Sequence, residues 1–240
     1  MSLFTIVKTV MDSNGWPSPV VGVSASQDQN MRQSMALANL ALKSTSFKHN
    51  WPHLIREHRF DTIGGEGTYD LPDDFHHMVV PSAVDAGQYY QLRGSLTPLQ
   101  WYRKSLNGGV DWGNGFRVDL SSALGGIGKF LVAPTPGSPM DLVFMYITRN
   151  IAYDTGRNPR DAYYEDGDSA AIDEDLVQLG LSWRWRQKKG LDYTAEMAEY
   201  SGTMKQRIAQ YMGTGELPIG GKFDSMWPLT QGRIPDVIGV

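Results

Sequence analysis

The densest run of chemistry-bearing side chains is Glu165, Asp166, Asp168, Asp173, Glu174 and Asp175. Paired carboxylates serve acid–base hydrolysis, and clustered ones hold hard cations. The spacing here does not meet the calcium-loop pattern, and acids just ahead of a helix complement its positive end. Arg184, Arg186, Lys188 and Lys189 close the same segment and fit the same account. Interleaved with Trp183 and Trp185, these cations also have a composition suited to nucleic acid. Helix-end electrostatics with a partly buried tryptophan pair is the favoured reading. His49 and His53 are four apart, but no metalloprotease glutamate follows and Pro52 interrupts them. His76 and His77 are adjacent, so on a strand they point to opposite faces. Gly125-Gly126-Ile127-Gly128-Lys129 is a fragment of the phosphate-loop pattern, but Ala123 and Phe130 stand where glycine and a hydroxyl are needed. No Gly-x-Ser-x-Gly nucleophile motif occurs. No catalytic, cofactor-binding or metal-ligating residue is assigned.

Composition bounds the rest. The 240 residues suffice for one large domain or a core with an inserted subdomain. A hydrophobic fraction of 41% with 20% charged residues is that of a globular protein. No apolar run reaches the roughly 20 residues that cross a bilayer. Lys8 interrupts Leu3 to Met11, and no small-residue cleavage site follows, so a secretory signal is not expected. With no cysteine, disulfides and thiolate chemistry are excluded. The net charge of -4 argues against wrapping nucleic acid on a basic surface, though not against a wall that DNA slides past.

The elements that position these residues follow from periodicity. Leu3 to Asp12 reads as an amphipathic helix, stopped by Asn14-Gly15 and followed by the extended linker Trp16-Pro17-Ser18-Pro19. Ser26 with Gln29 forms a capping box for a helix running to about Thr45. Trp51-Pro52 opens a short helix with Leu54 and Ile55. From Phe60 the pattern turns β: Phe60 to Ile63 and Thr68 to Leu71 read as a hairpin around Gly64 to Gly67. Further strands are expected at His77 to Val80, Tyr89 to Leu92, Phe116 to Leu120, Lys129 to Ala133 and Leu142 to Thr148, with a small helix over Pro98 to Ser105. Ile172 to Met212 reads as a helical hairpin, capped by Asp173 and Asp192 and stopped by Gly190 and Gly213. The expected fold class is α+β: a helical bundle from N- and C-terminal segments, an inserted antiparallel β-rich sandwich or barrel, and an extended C-terminal arm. The boundaries are 1–59 for the first helices, 60–153 for the insertion, 154–212 for the loop and hairpin, and 213–240 for the arm.

Four stretches, in this order, resemble one family. They are Trp51-x-x-Leu54 running into Phe60-x-Thr62-x-x-Gly65 and Tyr69-x-Leu71-Pro72-x-Asp74-Phe75; Leu96-Thr97-Pro98-Leu99-Gln100-Trp101; Pro134-x-Pro136-Gly137 leading to Val143-Phe144-Met145-Tyr146; and Asp166-x-Asp168 before Leu179-Gly180-Leu181-x-Trp183-Arg184-Trp185 and Gly190-Leu191-Asp192-Tyr193. The chain thereby resembles bacteriophage head-to-tail connector proteins, the adaptor or tail-tubular proteins of the virion neck. The resemblance implies a non-enzymatic structural protein, made in the host cytoplasm and assembled as a dodecameric ring beneath the portal. Its partners would be other copies of itself, the portal protein, tail or nozzle proteins, and double-stranded DNA passing through without sequence-specific contact. No cofactor, metal or membrane is implied. Arms of this family reach toward the portal, which assigns Phe223, Trp227, Leu229 and Ile234 to partner binding. Two alternatives remain open. One is a phage-associated carbohydrate-binding or hydrolysing module, from Tyr89, Tyr90, Trp101 and Trp112 with Asp85 and Asp111. The other is a different neck or tail completion ring.

Overall fold

A computed structural model describes residues 1–79, 83–106, 113–120 and 128–211. Helix α1 (Leu3–Ser13) starts at Ser2, whose hydroxyl accepts from the Thr5 N–H. Helix α2 (Gln29–Ser46) is capped by Asp28, which accepts from the Asn30 N–H at 2.6 Å. The cap is therefore one turn-residue pair later than the Ser26 box, because Ser26 instead accepts from the Asp28 N–H at 3.2 Å and shapes the approach. Helix α4 (Glu174–Lys188) is capped by Asp173 and followed by Gly190 at φ +73°, while α5 (Thr194–Tyr211) follows Asp192, which accepts from Thr194.

The strands are β1 (Ile55–Asp61), β2 (Thr68–Asp70), β3 (Phe75–Met78), β4 (Val84–Asp85), β5 (Tyr90–Gln91), β6 (Gly115–Asp119), β7 (Lys129–Ala133), β8 (Asp141–Thr148), β9 (Ala152–Tyr153), β10 (Pro159–Arg160) and β11 (Ser169–Ala170), with α3 (Pro98–Leu106) between β5 and β6. One sheet runs β1-β8-β4-β5, with β3 also on β8; a second runs β2-β7-β6; a small third runs β10-β9-β11. The pairings between these strands are antiparallel. The first two sheets face each other over an aromatic core. Phe130 stacks on both Phe116 and Phe144 with ring centroids 5.2 Å apart.

The expected fold class needs correction. A helical bundle from the N- and C-terminal segments with one β insertion is not seen. Among the described residues there are five α-helices and eleven strands in three sheets. Strands also cross the expected limits of the insertion, since β1 begins at Ile55 and β10 and β11 lie beyond 153. The physical reason is that the helices cannot close a core alone. Helix α5 buries only Tyr200 and Met204. The helical side of the molecule is completed by Leu54, Ile147, Ile151, Ala152 and Tyr163, which come from the strands and their connections.

Two local readings change as well. Pro52–Leu54 is a single 3-10 turn, and Ile55 already belongs to β1. The segments around Gly64 to Gly67 do not form a hairpin, because β1 pairs with β8 and β2 with β7 in a different sheet. The glycine loop is a corner between sheets, tied down by the Gly65 N–H to Pro136 O at 2.8 Å and the Val132 N–H to Gly67 O at 2.8 Å.

Candidate functional site

The motif residues with the most chemical potential turn out to hold the fold together. In Leu71-Pro72-x-Asp74-Phe75, the turn closes through the Phe75 N–H to Pro72 O at 2.9 Å. The Asp74 carboxylate accepts from the Tyr146 hydroxyl at 2.7 Å and the Thr148 hydroxyl at 2.6 Å, pinning β3 to the end of β8. Burial first, and Asp74 second, hold the Tyr146 hydroxyl well above its ordinary titration range.

The acidic run is similarly occupied, but only partly by helix-end electrostatics. Asp168 is fully buried and accepts from the Tyr164 and Glu165 N–H groups at 2.7 and 2.9 Å and from Arg160 at 3.1 Å. Asp166 accepts from the Val23 and Ser24 N–H groups at 2.8 and 2.9 Å, so it latches the N-terminal connection to the loop before α4. Asp173 caps α4 and pairs with Arg207 of α5 at 2.6 Å. Glu174 pairs with the chain's N-terminal amine. The distant partners of Asp166 and Asp173 were invisible to a reading of local spacing. Among the described residues, no group of three or more His, Asp or Glu side chains is placed to hold a metal ion.

The histidines correct a second expectation. His76 and His77 do not diverge: their Nδ1 atoms are 2.7 Å apart. A register shift between Phe75 and His77 is the cause, because a bulge suspends the alternation of faces. His76 stacks on Phe47 at 3.6 Å between centroids, and His77 Nε2 lies 3.1 Å from Asn50 Oδ1. These contacts join the end of α2 to β3. Burial holds both rings below the ordinary histidine range.

The basic, tryptophan-rich end of α4 is turned inward as well. Arg184 donates to Gly180 O at 2.8 Å and Ser44 Oγ at 2.6 Å, and lies 4.2 Å from the Trp183 ring centroid. Lys189 donates to Asn30 Oδ1 at 2.8 Å, with Trp185 and Trp16 at 4.6 and 5.2 Å. Trp185 is fully buried. Arg186 donates to Asp192 O at 2.7 Å and pairs with Glu196 at 3.1 Å. Three of the four cations in the run therefore bind specific protein partners.

The aromatic groups of the carbohydrate reading are scattered in role. Tyr90 packs against the sandwich core and bonds Asn114, and the buried Asp85 accepts from the Gly87 and Gln88 N–H groups in its own turn. Tyr89 projects outward and Trp101 is half-buried. Trp112 and Asp111, the loop from Gly125 to Ile127, and the arm residues Phe223, Trp227, Leu229 and Ile234 lie outside the described residues.

What remains on display is apolar. Helix α3 opens with Thr97 and Gln100 bonded reciprocally, the Thr97 N–H to Gln100 Oε1 at 2.9 Å and the Gln100 N–H to Thr97 Oγ1 at 3.4 Å. Its one buried residue is Lys104, whose ammonium donates to Gly113 O and whose titration is lowered by burial and then by Arg93. Leu99, Tyr102 and Leu106 recur at i, i+3 and i+7 and are 59%, 61% and 66% exposed. The helix is thus anchored by its polar side and shows its apolar stripe to solvent, the reverse of an ordinary surface helix. The helix was legible in the sequence from its Thr97-Pro98 start; the outward direction of its stripe was not. The chain matches no protein-family model and no curated protein.

Proposed function

We propose that this chain is a structural subunit of a phage head-to-tail adaptor ring, a wall between portal and tail through which DNA passes. The observation that carries the reading is α3, a helix whose apolar stripe faces solvent while a buried lysine holds it in place. An apolar stripe fixed in that orientation calls for a protein partner. The order of motif residues that resembles the connector family supports the identity of that partner as a ring neighbour or a neck protein. The carboxylates Asp74, Asp166 and Asp168 are engaged in internal hydrogen bonds, which suits a wall better than a catalyst. No helix among the described residues is long and apolar enough to cross a membrane.

Native mass spectrometry of the full chain, alone and with portal rings of the phage that encodes it, tests the reading. A closed homo-oligomer, free or seated on the portal, is the expected result. A chain that stays monomeric alone and also ignores the portal overturns it.

A further inference from the structure

A ring repeats one heterologous contact, so each subunit must carry two different patches that fit each other. The α3 stripe is one. A second apolar feature lies on the helical side of the molecule. Val20 and Val21 are 89% and 97% exposed, between the buried Pro19 and Val23. The strap that presents them is held at both ends. Trp16 packs edge-on against Trp185 at 6.0 Å and its N–H donates to Met11 O at 3.0 Å, while Asp166 grips the Val23 and Ser24 N–H groups. Prolines at 17 and 19 fix two φ angles, and two valines have few rotamers to lose. The tip is therefore pre-organised for binding.

We propose that the Val20–Val21 tip of one copy docks on the Leu99, Tyr102 and Leu106 stripe of the next copy. This rests on the ring reading and names its contact. Charge makes the two patches a pair. Residues 86–106 contain Arg93, Arg103 and Lys104 and no carboxylate, and Arg103 is exposed beside the stripe. Residues 9–31 contain Asp12 and Asp28 and no lysine or arginine. Asp166 lies directly under the tip, its Oδ2 close to Gly22, and Lys189 is turned inward to Asn30. Like would repel like at a self-paired tip or stripe, whereas tip on stripe brings opposite signs together. Within one copy both patches stay exposed, so neither satisfies the other.

The absence of cysteine gives a clean test. Full-length V21C and Y102C chains are mixed, assembled and oxidised, and the double variant V21C/Y102C is treated alike. Expected are a V21C–Y102C cross-linked pair from the mixture and a covalent ladder from the double variant. Independently, V20D/V21D and L99D/L106D should each need about tenfold or more protein to assemble. Their equimolar mixture should stop at pairs, since each keeps one intact patch. Unfolding curves matching wild type establish that both variants fold. Rings that form without the V21C–Y102C cross-link, or unimpaired assembly of either aspartate variant, overturn this contact and leave the ring reading standing. A wild-type chain that never assembles, with or without portal rings, overturns both.

Discussion

At the scale of single residues, polar chemistry is spent on joining segments distant in sequence. Asp74 holds two hydroxyls of β8, so Asp74→Ala strands Tyr146 and Thr148 without their acceptor. We expect a loss of about 1–3 kcal/mol of stability, read from urea unfolding midpoints. The histidines supply a second expectation. All five are held below their ordinary value of 6.5, chiefly by burial. As pH falls below that value, the unfolded chain takes up protons that the folded chain resists, so the unfolded state is favoured. Stability should be highest above the histidine range and fall on acidification below it. Other charges act on these rings too: Arg149 opposes protonation of His76, while Asp173 and Asp74 favour it at His53 and His58. Replacing His76 by glutamine should flatten the pH dependence of the urea midpoint; an unchanged slope would remove His76 from this account.

At the scale of elements, close approach decides which side chains are allowed. A Cβ on Gly180 would lie 3.2 Å from Ala41 Cβ, where α4 crosses α2. Gly180→Leu should therefore overpack that crossing and cost about 1–3 kcal/mol in a thermal or chemical melt. Such elements also show what a sequence discloses. The α4 cap at Asp173 and the stop at Gly190 were legible because caps and stops are local chemistry. The pairing of β1 with β8, some eighty residues apart, was not, and neighbouring glycines suggested a hairpin in its place. The Thr97-Pro98 start signal placed α3 but could not say which way it faced, since its polar side is anchored by Lys104 reaching Gly113. The same limit applies to the helical side. Four amphipathic helices read as a bundle, yet only packing reveals that they need Ile147, Ile151 and Ala152 to close their core. The site was legible as residue types and not as partners: nothing near Asp166 in the chain points to Val23.

At the scale of the whole molecule, the fold sets a helical core beside an aromatic β core, and the two apolar features of the proposed contact, the Val20–Val21 tip and the α3 stripe, lie one on each side. That division suits a subunit that meets identical neighbours through two unlike faces. The arm assigned to partner binding, with Phe223, Trp227, Leu229 and Ile234, belongs to the same proposal. Deleting residues 213–240 should weaken portal binding in a pull-down on purified portal rings, whereas undiminished binding would remove the arm from the mechanism. The proposed ring-forming wall of the virion neck is decided by an electron-density map of the intact particle neck. The expected map shows a closed ring of copies between portal and tail, with the DNA path through its centre and α3 at the contact between neighbours. A neck map without this chain, or one that places single copies outside the DNA path, would contradict it.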